Sequence, residues 1–212
     1  MVGWFAAAYL AGSLPFAYWW TELFSGRDIR KIGSRNAGTA NVWKTSGLLP
    51  AILTALGDGL KGVAVAQIGL RIPSPLAGYA LPSLAIAGHN WPVWLRFRGG
   101  GGLATFIGSS LVMTNWEGTL AAVGLWGLTY LLLRDHDRSA LLACFLVSAF
   151  VPWVGQSCEW LVFYGSSSLV IALKRVQSMW DKRRLKTAVG DGAGTGVSTD
   201  CENVTPLVPK WD

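Results

Sequence analysis

Four polar segments interrupt an otherwise apolar chain, and their side chains are of the kinds that bind anions and move protons. A loop of small, amide and cationic residues covers positions 26–47, and an acid and a base, Asp58 and Lys61, follow inside an apolar stretch. A histidine and a run of glycines lie within 87–105, and the mixed-charge sequence RDHDRS covers 134–139. These residue types suit a substrate that carries phosphate, but turns between helices use many of the same residues.

The loop 26–47 combines flexible backbone with hydrogen-bonding and cationic side chains. Its glycines permit turns that present backbone NH groups to an anion. A positively charged loop on the cytoplasmic side of a membrane would have the same composition, so two interpretations stay open. The neutral side chains that can bind an anion are Ser34, Asn36, Thr39 and Asn41. The cations beside them are Arg30, Lys31, Arg35 and Lys44.

Asp58 and Lys61 lie three residues apart in an apolar segment that is predicted to be a helix. Groups at this spacing share a helix face and can form an ion pair. Ionisable side chains are costly within a membrane and usually face a protein interior or a wet cavity. We therefore favour a functional pair, with a self-neutralising pair that only fixes helix packing as the alternative.

His89 precedes the glycine run Gly99–Gly102 by a short connection, and Arg98 stands immediately before the run. A histidine here can act as a base or donate to a phosphate, although it can also simply cap a helix. Glycines at a helix start can form an anion site, because free NH groups and the positive end of the helix dipole converge there. The run matches neither GxxxxGK[ST] nor GxGxxG, so no nucleotide is predicted.

The sequence RDHDRS is short enough to be a tight turn between two helices, and it needs no further explanation as such. Ser139, at the start of the following helix, is its one candidate site residue.

The elements that would position these residues are predicted to be membrane helices. The 212 residues are 51% hydrophobic and only 14% charged, with a positive mean hydropathy, which is typical of a polytopic membrane protein. We predict an all-α integral membrane protein with about seven transmembrane helices, near 2–24, 48–70, 74–91, 102–114, 117–133, 139–154 and 157–173. The positive residues then place the N-terminus outside and the C-terminus in the cytoplasm. One membrane domain would cover 1–186, and a Gly, Ser and Thr-rich tail, 187–212, would be flexible.

The same sequence features argue against a signal peptide, nucleic-acid binding, a metal site and a disulfide framework. No secretory signal peptide is expected, because Met1 to Phe24 is long enough to span a membrane by itself. The net charge of +6 is not arranged as a basic stripe interleaved with aromatics, so nucleic acid is not an expected partner. Cys144, Cys158 and Cys201 form no CxxC and have no ligand-spaced histidines, so neither a metal site nor a disulfide framework is predicted.

Taken together, the polar blocks resemble the bacterial acyl-phosphate glycerol-3-phosphate acyltransferase family. The blocks are GSLPFAYW, DIRKIGSRNAGTANVWKTSG, DGLKG and GHNWPVWLRFRGGGGLAT, and they stand in the order of the family's own blocks over about the first 140 residues. The resemblance implies seven transmembrane helices, an external N-terminus and a site that opens at the cytoplasmic face.

The resemblance also implies the reaction: transfer of a fatty acyl group from an acyl phosphate to the 1-hydroxyl of glycerol 3-phosphate. The products would be lysophosphatidic acid, for phospholipid biosynthesis, and inorganic phosphate, without an acyl-enzyme and without a cofactor. The implied location is the inner (plasma) membrane of a bacterium, in contact with membrane lipid. The implied functional partner is the phosphate acyltransferase that forms the acyl phosphate.

The site residues implied by the resemblance are named by their positions in this chain. The catalytic candidates are Ser34, Lys61 and His89. The substrate-binding candidates in the first half of the chain are Arg35, Asn36, Gly38, Thr39, Asn41, Lys44 and Asp58. Those in the second half are Arg98, Gly99, Gly100, Gly101, Gly102, Thr105, Ser139, Lys174, Arg175 and Gln177.

This chain departs from the family pattern where the family carries cations. The family's glycine run contains a lysine at the position of Gly101, and Arg35 replaces a family glycine, so Arg35 is a candidate to supply the missing cation. Lys174, Arg175 and Gln177 stand where the family has a His-Arg-x-Asn-Ile-x-Arg segment that helps to bind glycerol 3-phosphate. If the loop still holds phosphate, we expect Gly101→Lys to raise turnover or acceptor affinity.

Two other functions are compatible with these residues. A non-catalytic relative that binds lipid or phosphate could keep the scaffold after losing the lysine. A transporter of small anions or lipids would also place cations beside an apolar path, but it would more naturally show internal repeats, and no clear repeat is present.

Overall fold

The structure is a computed structural model, and it describes residues 1–150 and 158–192. Over these two ranges the regular structure is entirely helical, which confirms the predicted all-α class. The helices are α1 Val2–Gly12, α2 Phe16–Ser25, α3 Thr39–Ser46, α4 Leu48–Gly69, α5 Pro75–Asn90, α6 Leu103–Met113, α7 Asn115–Leu133, α8 His136–Phe150 and α9 Cys158–Gly192. A single 3-10 turn, Val93–Leu95, lies between α5 and α6.

The predicted first helix, 2–24, is wrong in one respect, because the chain forms two helices there. α1 ends at Gly12 and α2 begins at Phe16. Pro15 lies between them, and proline has no NH to donate to the preceding turn and clashes with a continuing helix. The break leaves the backbone around Leu14 outside both helices.

Two other parts of the chain differ from the prediction. The loop 26–47 contains α3, and α9 continues well beyond the predicted end at 173, so the first residues of the predicted tail are helical. The rest of that tail, 193–212, and the predicted junction at 154–157 lie outside the described residues. Met1–Val176 form one compact unit, which contains every candidate site residue except Gln177.

Small residues bring α4 and α6 into close backbone contact. Gly62 lies against the carbonyl of Thr105, and Gly108 lies against the carbonyl of Gly59, so that a Cβ atom at either glycine would overlap the facing backbone. Glycine is the residue that allows such an approach between apolar helices. This packing sets the face of α4 that carries Asp58 beside the glycine run that precedes α6.

α1 and α5 approach each other in the same way. Gly12 lies against the carbonyl of Ala85, and Gly88 lies against the carbonyl of Tyr9. The Tyr9 hydroxyl donates to the carbonyl of Trp91, 2.5 Å away. These contacts fix the C-terminal end of α5, which carries His89.

The outer surface of the helices is strongly apolar. Large apolar side chains such as Leu23, Leu60, Leu132 and Phe145 are exposed, as expected where lipid rather than water surrounds a protein. Among the described helices, Leu48–Gly69 is long and apolar enough to cross a membrane, with a mean hydropathy of 1.5 over its best window. The number of spans and the orientation of the termini stay predictions.

Candidate active site

The centre of the site is a buried cluster of Asp58, Lys61 and His89. The Lys61 Nζ atom lies 2.8 Å from Asp58 Oδ1 and 3.0 Å from His89 Nδ1, and Asp58 Oδ1 lies 3.3 Å from His89 Nδ1. All three side chains are less than a tenth exposed. The structure therefore brings the i, i+3 pair on α4 together with the histidine at the end of α5.

The break between α1 and α2 supplies a further contact to this cluster. Lys61 Nζ donates to the carbonyl of Leu14, 3.2 Å away, and lies 5.8 Å from the centroid of the Phe16 ring. A buried ammonium group needs such partners, because its desolvation is expensive. The proline that interrupts the first helix thus creates part of the environment of the buried lysine.

His89 presents its two ring nitrogens to different surroundings. Nδ1 faces Asp58 and Lys61, whereas a Cβ atom at Gly100 would overlap Nε2. If Nδ1 carries the proton and donates to Asp58, Nε2 can accept a proton from a substrate hydroxyl. If Lys61 donates to Nδ1, Nε2 carries the proton and can donate to a phosphate. The geometry is compatible with both roles.

The glycine run folds back on the end of α5. The NH of Gly99 donates to the carbonyl of Asn90 at 3.3 Å, and the NH of Gly100 donates to the carbonyl of His89 at 3.1 Å. A Cβ atom at Gly100 would also lie 2.7 Å from the carbonyl oxygen of Ala37. These two glycines hold the run against His89 and the first loop, so their NH groups are already engaged by backbone carbonyls.

A cation from α9 occupies the space beside Gly101. The Arg175 Nη2 atom lies 2.5 Å from the place that a Cβ atom of residue 101 would take, and 3.4 Å from the carbonyl oxygen of Gly101. Nη1 lies 3.3 Å from Asp137 Oδ1. Arg35, the sequence candidate for this cation, is exposed and adopts a φ of 59°, a backbone conformation that favours glycine. Among the described residues, the cation beside Gly101 is therefore Arg175.

The first loop is organised by Asn41. The side chain is buried, and its Nδ2 donates to the carbonyls of Ile32 and Asn36 at 3.2 and 3.0 Å. Its Oδ1 accepts from the NH of Ser34 at 3.0 Å. Asn41, predicted from the sequence to bind substrate, is thus fully engaged in holding the loop.

An ion pair on the same loop is more exposed. Arg30 Nη2 lies 2.7 Å from Asp28 Oδ2. Its hydrogen bonds hold the pKa of the Asp28 carboxyl below the ordinary value, against the opposing effect of partial burial. Because this pair is partly solvated, it contributes little to the stability of the fold.

The other candidate residues differ in their exposure to solvent. Lys174 lies with its Nζ 5.6 Å from the centroid of the Trp91 ring, at the end of α5. Ser34, Arg35, Lys44, Arg98 and Gln177 are exposed. Asn36, Gly38 and Thr39 are half-buried at the start of α3, and Gly102 and Thr105 are buried at the start of α6.

Ser139 is buried in the first turn of α8. Its hydroxyl lies 2.5 Å from the carbonyl oxygen of Asp135 and 3.2 Å from that of Thr129. Thr129 Oγ1 in turn lies 3.1 Å from the carbonyl oxygen of Ser139. These contacts tie α7 to α8 and direct the Ser139 hydroxyl towards backbone.

A small pocket joins the cluster to the glycine run and to the first loop. Apolar residues of the helix break form one wall, and the run forms the other. The lining residues are Leu14, Pro15, Phe16, Ala17, Ala37, Asp58, His89, Pro92, Leu95, Gly99 and Gly100.

Sequence reasoning missed two buried polar side chains near this site. Asp137 was interpreted only as part of a turn, although it contacts Arg175, 38 positions away. Asn90 has its Nδ2 3.5 Å from the carbonyl of Val170 on α9, and its Oδ1 lies 2.8 Å from the place of a Cβ atom at Gly102. No local pattern marks either residue, since both contacts join helices that are distant in sequence.

The fold and the site together define an all-helical protein of membrane type, with a buried Asp–Lys–His cluster at a helix break. The sequence model of the family described as "Glycerol-3-phosphate acyltransferase" matches residues 2–182. The chain belongs to this glycerol-3-phosphate acyltransferase family.

Individual relatives agree with this assignment. The chain is 44% identical over 149 residues to a glycerol-3-phosphate acyltransferase of Nitrobacter winogradskyi, covering 70% of this chain and 75% of that protein. It is 40% identical over 148 residues to one of Bradyrhizobium diazoefficiens, covering 70% and 74%. It is also similar to a crystal structure of PlsY, an integral membrane glycerol 3-phosphate acyltransferase, in its glycerol 3-phosphate form. That match has a TM-score of 0.73 and 25% identity, and covers 88% of this chain and 92% of that one.

Proposed function

We propose that this protein transfers a fatty acyl group from an acyl phosphate to the 1-hydroxyl of glycerol 3-phosphate, and so forms lysophosphatidic acid and inorganic phosphate. The observation that carries the proposal is the buried Asp58–Lys61–His89 cluster beside a glycine run and a buried arginine, in a chain of this family. A polar site with two buried cations, surrounded by apolar helices, suits two phosphate substrates and a lipid product.

In the proposed reaction the hydroxyl oxygen attacks the acyl carbon, and the bond from that carbon to the phosphate oxygen breaks. The phosphate leaves with the bonding electron pair, and the hydroxyl proton passes to His89 Nε2 or to the departing phosphate. Acyl phosphate already has a good leaving group, so positioning and charge stabilisation contribute more than activation of a nucleophile. When Nε2 accepts the proton, Asp58 orients the ring by accepting from Nδ1, and Lys61 adds positive charge next to it.

The Ser34 region and the cations of the first loop are proposed to form the outer part of the substrate site. The carbonyl of Ala37 lies close to Gly100, so the loop adjoins the glycine run. Ser34 and Arg35 are exposed on this loop and accessible to a soluble phosphate compound. Neither side chain lines the small pocket described above, so their role is in substrate capture.

We infer that the protein resides in the inner membrane of a bacterium, with the site at the cytoplasmic face. The concentration of lysines and arginines in the first loop and around the glycine run supports this orientation. Glycerol 3-phosphate would then arrive from the cytoplasm, and the acyl chain would arrive from the lipid or from the enzyme that forms the acyl phosphate.

The proposal is tested with purified protein in detergent or lipid, palmitoyl phosphate and radiolabelled glycerol 3-phosphate. We expect labelled lysophosphatidic acid that depends on both substrates. Replacing palmitoyl phosphate with palmitoyl-CoA separates acyl-phosphate dependence from general acyl transfer. Absence of product with any acyl donor or polyol phosphate, from protein that still binds glycerol 3-phosphate, would favour the non-catalytic binding protein instead.

A further inference from the structure

Arg175 is a buried cation held between two helices and the glycine run. It belongs to α9, it is only 5% exposed, and its guanidinium contacts Asp137 at the start of α8 and the carbonyl of Gly101. Asp137 is equally buried, with a relative exposure of 4%. Neither the composition of α9 nor the turn RDHDRS indicates this arrangement, because it is created by packing.

One of the three nitrogens of this guanidinium, Nε, has no acceptor among the described residues. Nη1 and Nη2 have the contacts named above, whereas Nε is buried and has no hydrogen-bond partner among the described residues. A buried charged donor without an acceptor is unfavourable, so such a group is expected to meet an acceptor in a functional state. An anionic ligand provides that acceptor, and Arg binds phosphate oxygens through several NH groups at once.

Among the described residues, Asp137 is the carboxylate that contacts the Arg175 guanidinium. The cavity beside it is lined mostly by apolar side chains, including Leu103, Phe106, Ala140 and Val147. The lining also includes Ser168, but it offers no carboxylate that could replace that of Asp137. Loss of the Asp137 carboxylate would therefore free the guanidinium to turn away from the glycine run.

Gly101 leaves the space that the Arg175 guanidinium occupies. A Cβ atom at this position would lie 2.5, 3.0 and 3.1 Å from Nη2, Cζ and Nη1 of Arg175. These distances are all shorter than ordinary van der Waals contact, so the guanidinium occupies the volume that a side chain of residue 101 would take. The space beside the run holds one group, and in this chain that group is the guanidinium.

We propose that Asp137 is a positioning residue that holds the Arg175 guanidinium in the space left by Gly101, where it binds a phosphate group of the substrate. This rests on the proposed function for the identity of the phosphate compound. The positioning role reverses the sequence-level expectation for Gly101→Lys, because a lysine introduced there would displace the cation that already occupies the space.

The first experiment compares Asp137→Asn and Asp137→Ala with the wild type, with Glu117→Gln and Glu117→Ala as matched controls. Glu117 is an exposed carboxylate in the first turn of α7, whereas Asp137 lies beyond the other end of α7, in the first turn of α8. We expect the KM for at least one phosphate substrate to rise about tenfold in Asp137→Ala, in line with loss of a charge-assisted contact. Asn keeps an acceptor oxygen in the same place, so its KM should be intermediate.

A purely structural role would lower the amount of active enzyme and hence kcat, and would leave KM unchanged. A folded Asp137→Ala variant with an unchanged or lower KM for both phosphate substrates therefore overturns the proposal. Folding is checked by a symmetric size-exclusion peak and by the melting temperature in detergent. If Asp137→Ala does not fold, Asp137→Asn and Gly101→Ala carry the test, since Gly101→Ala perturbs the same contact without removing a charge.

The second experiment is a double-mutant cycle at positions 101 and 175. Gly101→Lys and Arg175→Gln should each lower kcat/KM, the first by displacing the guanidinium and the second by removing it. The kcat/KM of the double variant should be about tenfold higher than the value obtained by multiplying the two single effects, because its lysine enters a space that is now free. Effects that simply multiply would show that the two positions do not share one space.

A binding measurement separates this proposal from the proposed function. Glycerol 3-phosphate and inorganic phosphate are added to the wild type and to Asp137→Asn, and the rise in melting temperature is recorded. A rise in the wild type that is reduced in the variant supports the positioning role even if no lysophosphatidic acid is formed. If the wild type is active and its Asp137 variants show the same rise and the same KM, the proposed function stands and the role of Asp137 is refuted.

Discussion

Replacing Lys61 with methionine removes the cation at the centre of the buried cluster and keeps most of the side-chain volume. Lys61 Nζ lies 2.8 Å from Asp58 Oδ1, and both side chains are less than 5% exposed. Asp58 would then be a buried carboxylate without its nearest counter-charge. Breaking a buried ion pair in this way typically costs about 3–5 kcal/mol of stability.

The expected loss of stability can be measured as a decrease of the melting temperature in detergent. In a chain of about this size each kcal/mol shifts the melting temperature by about 2–4 °C, so Lys61→Met should melt roughly 6–20 °C below the wild type. Acyl transfer should fall about 10²–10³-fold, because the ammonium group also holds Asp58, which faces His89 Nδ1, and lies beside the developing charge.

A double variant separates stability from catalysis. Asp58→Asn combined with Lys61→Met replaces the ion pair by neutral side chains of similar size, and such replacements are often close to neutral for stability. The double variant should therefore melt at a higher temperature than Lys61→Met but remain inactive. A Lys61→Met variant that melts with the wild type, or a double variant that regains activity, would refute the assignment of this pair as both buried and functional.

Three further outcomes are expected. His89→Gln should lower kcat by about 10²–10⁴-fold with little change in the melting temperature, as measured by lysophosphatidic acid formation, because only a proton-transfer group is lost. An activity close to that of the wild type would exclude His89 as the proton acceptor. Asn41→Ala should lower the free energy of unfolding by about 1–3 kcal/mol, since it leaves buried carbonyls of the first loop without their donor; limited proteolysis of that loop should become faster. Equal cleavage rates would contradict this role. Arg35→Gly should be more stable than Arg35→Ala by about 1 kcal/mol, because only glycine adopts the positive φ without strain. Equal melting temperatures of those two variants would mean that the turn relaxes at little cost.

The resemblance read from the sequence led to the correct family, and the local spacing led to the correct pairing within α4. Asp58 and Lys61 were expected to share a helix face, and they form an ion pair there. The i, i+3 rule depends only on helix geometry, so no knowledge of the rest of the chain was needed. The length of the first apolar run, by contrast, hid the helix break at Pro15.

The roles of several polar residues could not be inferred from their type. Asn41 and Gly100 stay predicted substrate-binding residues, and in the structure the Asn41 side chain and the Gly100 NH bond to backbone carbonyls. Amides and NH groups meet either kind of acceptor with the same chemistry, so the choice depends on which acceptor the fold brings within about 3 Å. Sequence alone contains no such distances.

The sequence by itself determined the helical class, the apolar exterior, the Asp58–Lys61 pair and the place of the glycine run. These follow from hydrophobic composition and short-range spacing, which act over a few residues. Only the tertiary structure decided that Arg175 and Asp137, 38 residues apart, meet beside Gly101. Contacts between helices depend on how closely glycines let the backbones approach and on the rotation of each helix about its axis. Those quantities are set by the packing of the whole bundle.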